Sequence, residues 1–342
     1  MKAVKYWLWV GVCMVLIQVM IGGITRLTGS GLSITEWDVL MGAVPPLNEQ
    51  EWQTAFDQYK QFPQYEKMNS DMDLAGFKGI FWWEYIHRNW ARLIGMVFLI
   101  PFLLFWIQGR FDRPLLFKLL FIFVLGGLQG FMGWIMVASG LIDQPWVSPY
   151  NLTMHLILAL AVFLYLIWLA LSLRKKPLQT DHPIAHRNIK WVLAVIILQI
   201  VYGGFMAGTK AALIYQTWPL MHGAFVPGTA FQGPNFFAAV LENTSTINFL
   251  HRTLGIVVFV MIAYYWIQNR LYSSPQLRKL ENALLLMVVL QFTLGVSTLL
   301  ISDLEIPVFW GVIHQVGAFI LAGIAVAILY YARRREGIPV KS

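Results

Sequence analysis

Glu84-Tyr-Ile-His-Arg-Asn-Trp-Ala-Arg-Leu-Ile-Gly95 sets a carboxylate, an imidazole and two guanidiniums at the head of a long apolar run. Ionisable groups are costly in hydrocarbon and face a bundle interior or a cavity, so a cluster inside a span points to a functional site. The chain carries a second version, Asn248-Phe-Leu-His-Arg-Thr-Leu-Gly255. The echo keeps the His-Arg pair and a downstream glycine, but Asn248 stands where Glu84 stood. One polar head on two apolar runs predicts an all-α polytopic membrane protein with an internal repeat.

The rest of the chain fits that fold class. Of 342 residues, 58% are hydrophobic and only 12% charged, with a mean hydropathy of +0.62. Soluble domains carry roughly a quarter charged residues. Eight apolar runs, near 6–25, 82–107, 115–138, 151–173, 190–209, 247–268, 281–301 and 308–331, are each long enough to cross the bilayer. A spanning helix needs about 20 residues for roughly 30 Å of hydrocarbon.

The net charge of +8 does not mark a nucleic-acid partner, because 17 of the 25 basic residues sit in loops on one side of the spans. These are Lys2 and Lys5; Arg110, Arg113 and Lys118; Arg174, Lys175, Lys176, Arg187 and Lys190; Arg270, Arg278 and Lys279; and Arg333, Arg334, Arg335 and Lys341. Both termini are therefore expected in the cytoplasm. Cys13 is the sole cysteine, which excludes an intramolecular disulfide and argues against a thiolate metal site. Met1-Lys-Ala-Val-Lys5 runs straight into Tyr6-Trp7-Leu8, so no cleavable leader is expected. The expected location is a bacterial inner membrane.

The halves align span by span. Gln18-x3-Gly22 returns as Gln199-x3-Gly203, His87-Arg88 as His251-Arg252, Gln129-x3-Gly133 as Gln291-x3-Gly295, and His155 as His314. Four spans per copy give both copies the same orientation. The expected architecture is two tandem four-helix bundles, 1–176 and 177–342. The long segment 26–80 is acidic and aromatic (Glu36, Trp37, Asp38, Glu49, Glu51, Trp52), with Pro46 to Tyr59 reading as a short amphipathic helix capped by Asn48. It is expected to lie outside, as a lid on the first bundle.

Four of the seven histidines, His87, His155, His251 and His314, fall near the outer ends of even-numbered spans. In each half one can face the other across the bundle. Two facing imidazoles suit a six-coordinate haem iron, whereas zinc lacks a third protein ligand at that depth. Glycines such as Gly22, Gly23, Gly126, Gly127, Gly130, Gly133, Gly203, Gly204 and Gly208 leave room for a flat macrocycle or for close helix packing. Arg26, Arg88, Arg252 and Lys210 stand at the outer interface, where they can meet propionates or lipid headgroups. Glu84 lies four residues before Arg88, a simple ion-pair spacing, and also three before His87, on the same helix face.

These residues resemble haem A synthase, in the branch shared by mitochondria and proteobacteria. The matching motifs are Gly22-Gly-Ile-Thr-Arg-Leu-Thr-Gly-Ser-Gly-Leu-Ser33, Glu84-x-x-His-Arg88 with Trp90 and Arg92, Ala207-Gly208 through Tyr215, Pro219-Leu-Met221, His251-Arg252 and His314-Gln315. Pro45-Pro46, Glu51-Trp52, Phe62-Pro63, Asn69 and Phe77-Lys78 follow the same branch. The cysteine pairs of the Gram-positive branch are missing, so no thiol relay is implied. The resemblance implies oxidation of the C8 methyl of haem O to a formyl group, giving haem A for cytochrome oxidase. It implies a haem b cofactor held by His251 and His314, with Arg252 and Lys210 beside it. Substrate haem O would lie between His87 and His155, with Arg26 and Arg88 at its edge and Glu84 as the catalytic residue. Implied partners are haem O synthase and an electron donor of ferredoxin or quinol type. Two other classes fit four membrane histidines: a two-haem b-type electron carrier and a haem transporter.

Overall fold

The computed structural model describes residues 1–35, 44–140, 145–173, 183–271 and 273–332, with 183–187 described for the main chain only. Glu36, Trp37 and Asp38, the basic residues at 174–176 and 333–341, the side chains of His186 and Arg187, His182, and the boundary at 176/177 fall outside that description. The described chain is helical, with eight helices long and apolar enough to cross a membrane. These are α1 (Lys2–Leu27), α4 (Leu74–Ile107), α5 (Arg113–Gly140), α6 (Pro149–Ser172), α7 (Pro183–Gly208), α9 (Thr244–Asn269), α10 (Pro275–Ile301) and α11 (Val308–Ala332). Three short helices, α2 (Glu49–Tyr59), α3 (Pro63–Met68) and α8 (Phe236–Leu241), lie between them.

Local chemistry sets the ends of these helices. Asp73 accepts from the Gly76 N–H at the start of α4, and Asn243 accepts from Thr246 at the start of α9. Proline opens α6 and α10, where its missing N–H costs nothing. The extent that differs most from expectation is α4, which begins at Leu74 and not near residue 82; α7 and α10 also start earlier, at Pro183 and Pro275 against 190 and 281. The first two turns of α4, which carry Phe77, Lys78 and Phe81, project beyond the expected span. Those turns are what the lid packs on.

Helices α1, α6 and α11 form the centre. Helix α1 touches α4, α6 and α11, while α6 also packs on α5, α7 and α11. The second half closes through α7 on α9, α9 on α10, and α10 on α11. Leu8, Phe163, Leu166, Ile262, Phe319 and Ala322 are among the fully enclosed side chains of one continuous core that includes both halves. Peripheral helices leave large apolar side chains uncovered, among them Met96, Ile100, Phe117, Phe121 and Val124. Such a continuous apolar surface belongs against lipid.

One device recurs at equivalent places. Helix α1 ends at Gly29 in the left-handed region (φ 66°), followed by a 3-10 turn at Ser30–Leu32. Helix α7 ends at Lys210 in the same region (φ 52°), followed by a 3-10 turn at Ala211–Leu213. Glycine adopts that backbone freely, whereas a side chain such as that of Lys210 costs about 1 kcal/mol there. A lid covers the first half, while in the second half the outer segment 214–243 covers the start of α9, with α8 packed on α9 and Phe225 and Phe231 against Phe249. In the lid of the first half the contacts are also aromatic. Trp52, Phe56 and Tyr59 of α2 bury against Phe77 and Phe81 of α4. Asn48 caps α2 by accepting from Glu51, and Gln64 donates to the Gly29 carbonyl at 2.8 Å. Tyr59 donates to Gln64 and accepts from Asn69, and burial holds its phenol above the ordinary pKa, keeping it neutral.

Candidate functional site

The four membrane histidines occupy four versions of one environment. Each ring lies over a glycine of the preceding long helix: His87 over Gly22, His155 over Gly133, His251 over Gly203 and His314 over Gly295. A Cβ at those glycines would come within 2.9, 3.2, 3.3 and 2.8 Å of the ring, so only glycine admits the imidazole without displacement. His87 and His155 lie within electrostatic reach of one another, as do His251 and His314. The glycines of the repeated motif thus serve as ring seats. His155, His251 and His314 stand within about two turns of the start of their helices; His87 stands further along α4 because that helix extends outward to carry the lid.

Each ring also meets a glutamine one turn before its glycine. Gln18 Nε2 lies 3.2 Å from His87 Nδ1 and 3.3 Å from its Nε2. Gln129 Nε2 lies 3.2 Å from both ring nitrogens of His155. Gln199 Nε2 lies 3.5 Å from His251 Nε2, and Gln291 Nε2 lies 3.0 Å from His314 Nδ1. Sequence reading noted the spacing of these glutamines without giving them a role. Only the register of neighbouring helices shows it. That register is fixed between α1 and α4 by Trp7 Nε1 donating to the Val97 carbonyl and Trp90 Nε1 to that of Met14.

Beside each first histidine stands a polar frame. In the first half Glu84 is buried, with both oxygens engaged. Its Oε2 accepts from Ser33 Oγ (2.7 Å) and the Ile34 N–H (2.8 Å), and its Oε1 from Arg88 Nη2 (2.6 Å) and Nε (3.1 Å). Arg88 Nη2 also donates to the Ile34 carbonyl. In the second half, Asn248 donates to the Ala211 carbonyl at 2.7 Å, and Arg252 donates to the carbonyls of Tyr215 and Thr217. Both frames pin the 3-10 turn after the half's first helix. The first frame uses a carboxylate–guanidinium pair and the second a neutral amide. Among the described residues, Glu84–Arg88 is the only ion pair with both partners largely out of solvent.

The expected propionate partners divide. Arg252 keeps a buried Nε without a partner, a free donor that an anion can use. Lys210 is exposed at its left-handed turn. Arg26 also has a buried, unpartnered Nε, but its Nη1 donates to the Ala207 carbonyl of α7, at 3.4 Å. It therefore stands between the halves and is not confined to the first. Gln315 of α11 crosses the same seam to the Val19 carbonyl of α1.

The glycines also divide. Gly204 faces Thr153, and Gly208 faces Pro149, where α7 packs closely on α6. Gly126, Gly127 and Gly130 of α5, with Gly95 of α4, face no protein at all. There α4 and α5 touch mainly through Phe98 and Phe102 against Phe123, far from the histidines. The repeat offsets put Phe259 at the place of Gly95, and Val288, Val289 and Phe292 at those of Gly126, Gly127 and Gly130. In the second half Phe259 and Phe292 meet ring to ring at 5.5 Å, and α9 packs along α10. One half leaves open the crevice that the other fills.

Among the described residues no group of three or more His, Cys, Asp or Glu could hold a metal ion by itself. The donor set in each half is one histidine pair. That pair, its glycine seats, the spare guanidinium donor of Arg252 and four buried, unpartnered glutamine oxygens fit a bis-imidazole haem.

Residues 5–326 match the family described as cytochrome oxidase assembly protein. The chain is 43% identical to heme A synthase of Paramagnetospirillum magneticum over 341 residues, 98% of this chain and 95% of that one. It is 41% identical to heme A synthase of Nitrosospira multiformis, covering 98% and 94%. It is 44% identical to that of Flavobacterium psychrophilum, covering 94% and 95%.

Proposed function

The chain belongs to the haem A synthase family, a multi-pass protein of the bacterial inner membrane and an enzyme of haem A biosynthesis, and on that premise we propose that it oxidises the C8 methyl of haem O to a formyl group. The observation that carries this reading is the asymmetry between two otherwise matching histidine pockets. One has a carboxylate frame and an open crevice; the other has an amide frame and a filled crevice. A pair of equal electron carriers would need no such difference.

In this reading His251 and His314 hold haem b as the resident cofactor, with Arg252 and Lys210 at its propionates. When bound, that haem supplies one-electron transfer and no open coordination position. The first half takes haem O between His87 and His155. Haem O carries a long isoprenoid tail that haem b lacks, and the glycine face of α5 provides space that Phe259 and Phe292 occupy in the other half. Arg88 and Arg26 supply positive charge at the substrate edge.

Glu84 stabilises positive charge developing on the macrocycle edge or takes a proton from it. Because its oxygens are held by Arg88, Ser33 and Ile34, taking a proton requires release of one of these partners. The electrostatic role requires no rearrangement. The histidine end of the bundle faces the periplasm, with both termini in the cytoplasm. Haem O synthase supplies the substrate; the methyl-to-formyl change removes four electrons and adds one oxygen atom, so a ferredoxin-like or quinol electron donor serves it only with dioxygen as the oxidant and oxygen source.

The test is pigment extraction after co-expression with haem O synthase. Haem A in the extract supports the enzyme. Haem b or haem O recovered unchanged supports a carrier or transporter instead.

A further inference from the structure

All four glutamines that meet the histidines share a second property. The side-chain oxygens of Gln18, Gln129, Gln199 and Gln291 are buried and accept no hydrogen bond. In the same pocket as Gln199, which lies nearer Nε2, His251 Nδ1 is likewise buried without a partner. A glutamine that only joined two helices would be served by its nitrogen contacts. The same orphaned acceptor beside the same ring, four times in four pockets, calls for a donor.

A histidine that ligates iron through Nε2 carries its proton on Nδ1, and that N–H needs an acceptor. Among the contacts described for these four rings, the glutamine amide is the recurring side-chain partner at the ring nitrogens. With its nitrogen end toward the ring, the amide donates to a ring lone pair and favours the wrong tautomer. With its oxygen end there, it accepts from Nδ1–H and leaves Nε2 free. In Gln18 and Gln291 the nitrogen end is already anchored on the main-chain oxygen of the same histidine, at 3.2 and 2.7 Å. A small rotation then brings Oε1 to Nδ1. In Gln129 exchange of the two amide ends, which are nearly equal in size, has the same effect; Gln199 lies 3.5 Å from His251 Nε2, so its amide must also shift along the ring edge to reach the unpartnered Nδ1.

Resting on the haem sites proposed above, we propose that these four glutamines are positioning residues for the axial histidines. Each accepts the Nδ1 proton, fixes the tautomer with Nε2 toward iron, and sets the donor strength of the ring. Gln199 and Gln291 serve the resident haem, and Gln18 and Gln129 the substrate haem. A neutral amide acceptor keeps each imidazole neutral. A carboxylate in its place would pull the proton, increase imidazolate character and favour ferric iron.

The test uses the full-length protein purified with its resident haem. Gln291→Glu should keep the low-spin bis-histidine spectrum and full haem content, yet lower the midpoint potential. We expect roughly a tenfold change in the ferric-to-ferrous ratio at fixed ambient potential, which corresponds to about 59 mV for one electron. Gln291→Leu, which offers no acceptor, should hold haem about 10–100-fold less tightly. If Gln291→Glu does not assemble, Gln199→Glu on the facing ligand carries the same expectation. A wild-type potential in the carboxylate variant, with undiminished haem affinity in the leucine variant, would overturn the proposal. His251→Ala is measured alongside. If it retains the low-spin spectrum, the haem-site reading itself is wrong; if it loses the spectrum while the glutamine variants stay unchanged, only the positioning role is wrong.

Discussion

Glu84 and Asn248 hold the same place in their pockets and pin the same turn, so their difference is chemical and not architectural. A carboxylate buried with an arginine is stable only as a pair. Removing one partner of such a pair costs roughly 3 kcal/mol. Glu84→Gln should therefore lower thermal stability measurably, keep the resident haem, and stop haem A formation. Glu84→Ala should cost more stability, because Ser33 and the Ile34 N–H also lose their acceptor. Thermal melts followed at the haem band, with pigment extraction, check both. If Glu84→Gln loses stability but makes haem A at the wild-type rate, the carboxylate is only Arg88's partner. The histidines, Glu84 and the Arg88 spacing were legible in the sequence because repetition set them apart from ordinary helix residues. The ring contacts of Gln18 and its equivalents were not, since a contact between helices depends on register, which no single span encodes.

Among the elements, α4 and the lid behave as one unit. Trp52 packs on Phe81 at 4.9 Å between ring centres, and Phe56 stacks on Phe77 at 5.1 Å. Trp52→Ala should cost about 3 kcal/mol of lid docking. Limited proteolysis within 46–70 should then quicken, with haem O turnover reduced and resident haem retained. Unchanged turnover would separate the lid from the site. Helix α2 and its Asn48 cap could be read from the sequence; the outward extension of α4 could not. In its residues 74–81 Lys78 and two glycines interrupt the apolar run, and the helix persists there because α2 covers its aromatic face. The face of α5 carries a second expectation. Gly130→Phe, copying Phe292, should fill the crevice, lower haem O turnover severalfold and leave haem b content alone. Full activity in that variant would mean that the crevice is not used by substrate.

At the scale of the whole molecule, the halves share one core through α1, α6, α7 and α11, with Arg26 and Gln315 bonding across the seam. Cutting the chain between residues 174 and 182 should therefore leave fragments that associate when co-expressed and do not fold alone. The eight spans followed from hydropathy and length, quantities each helix carries by itself. The crossing of Arg26 to α7 did not, because it depends on how two bundles meet. Loop charge predicts both termini inside. Reporter fusions after Arg335 and within 174–190 should therefore read as cytoplasmic, and fusions within 44–70 as periplasmic. The division of labour between the halves is tested most directly by bound haem and haem A yield in His251→Ala and His87→Ala, each purified after co-expression with haem O synthase. His251→Ala should lose the resident haem b, while His87→Ala should keep it with a wild-type spectrum and yield no haem A. Loss of haem b from His87→Ala with retention in His251→Ala, or haem A from His87→Ala at the wild-type rate, would contradict the assignment.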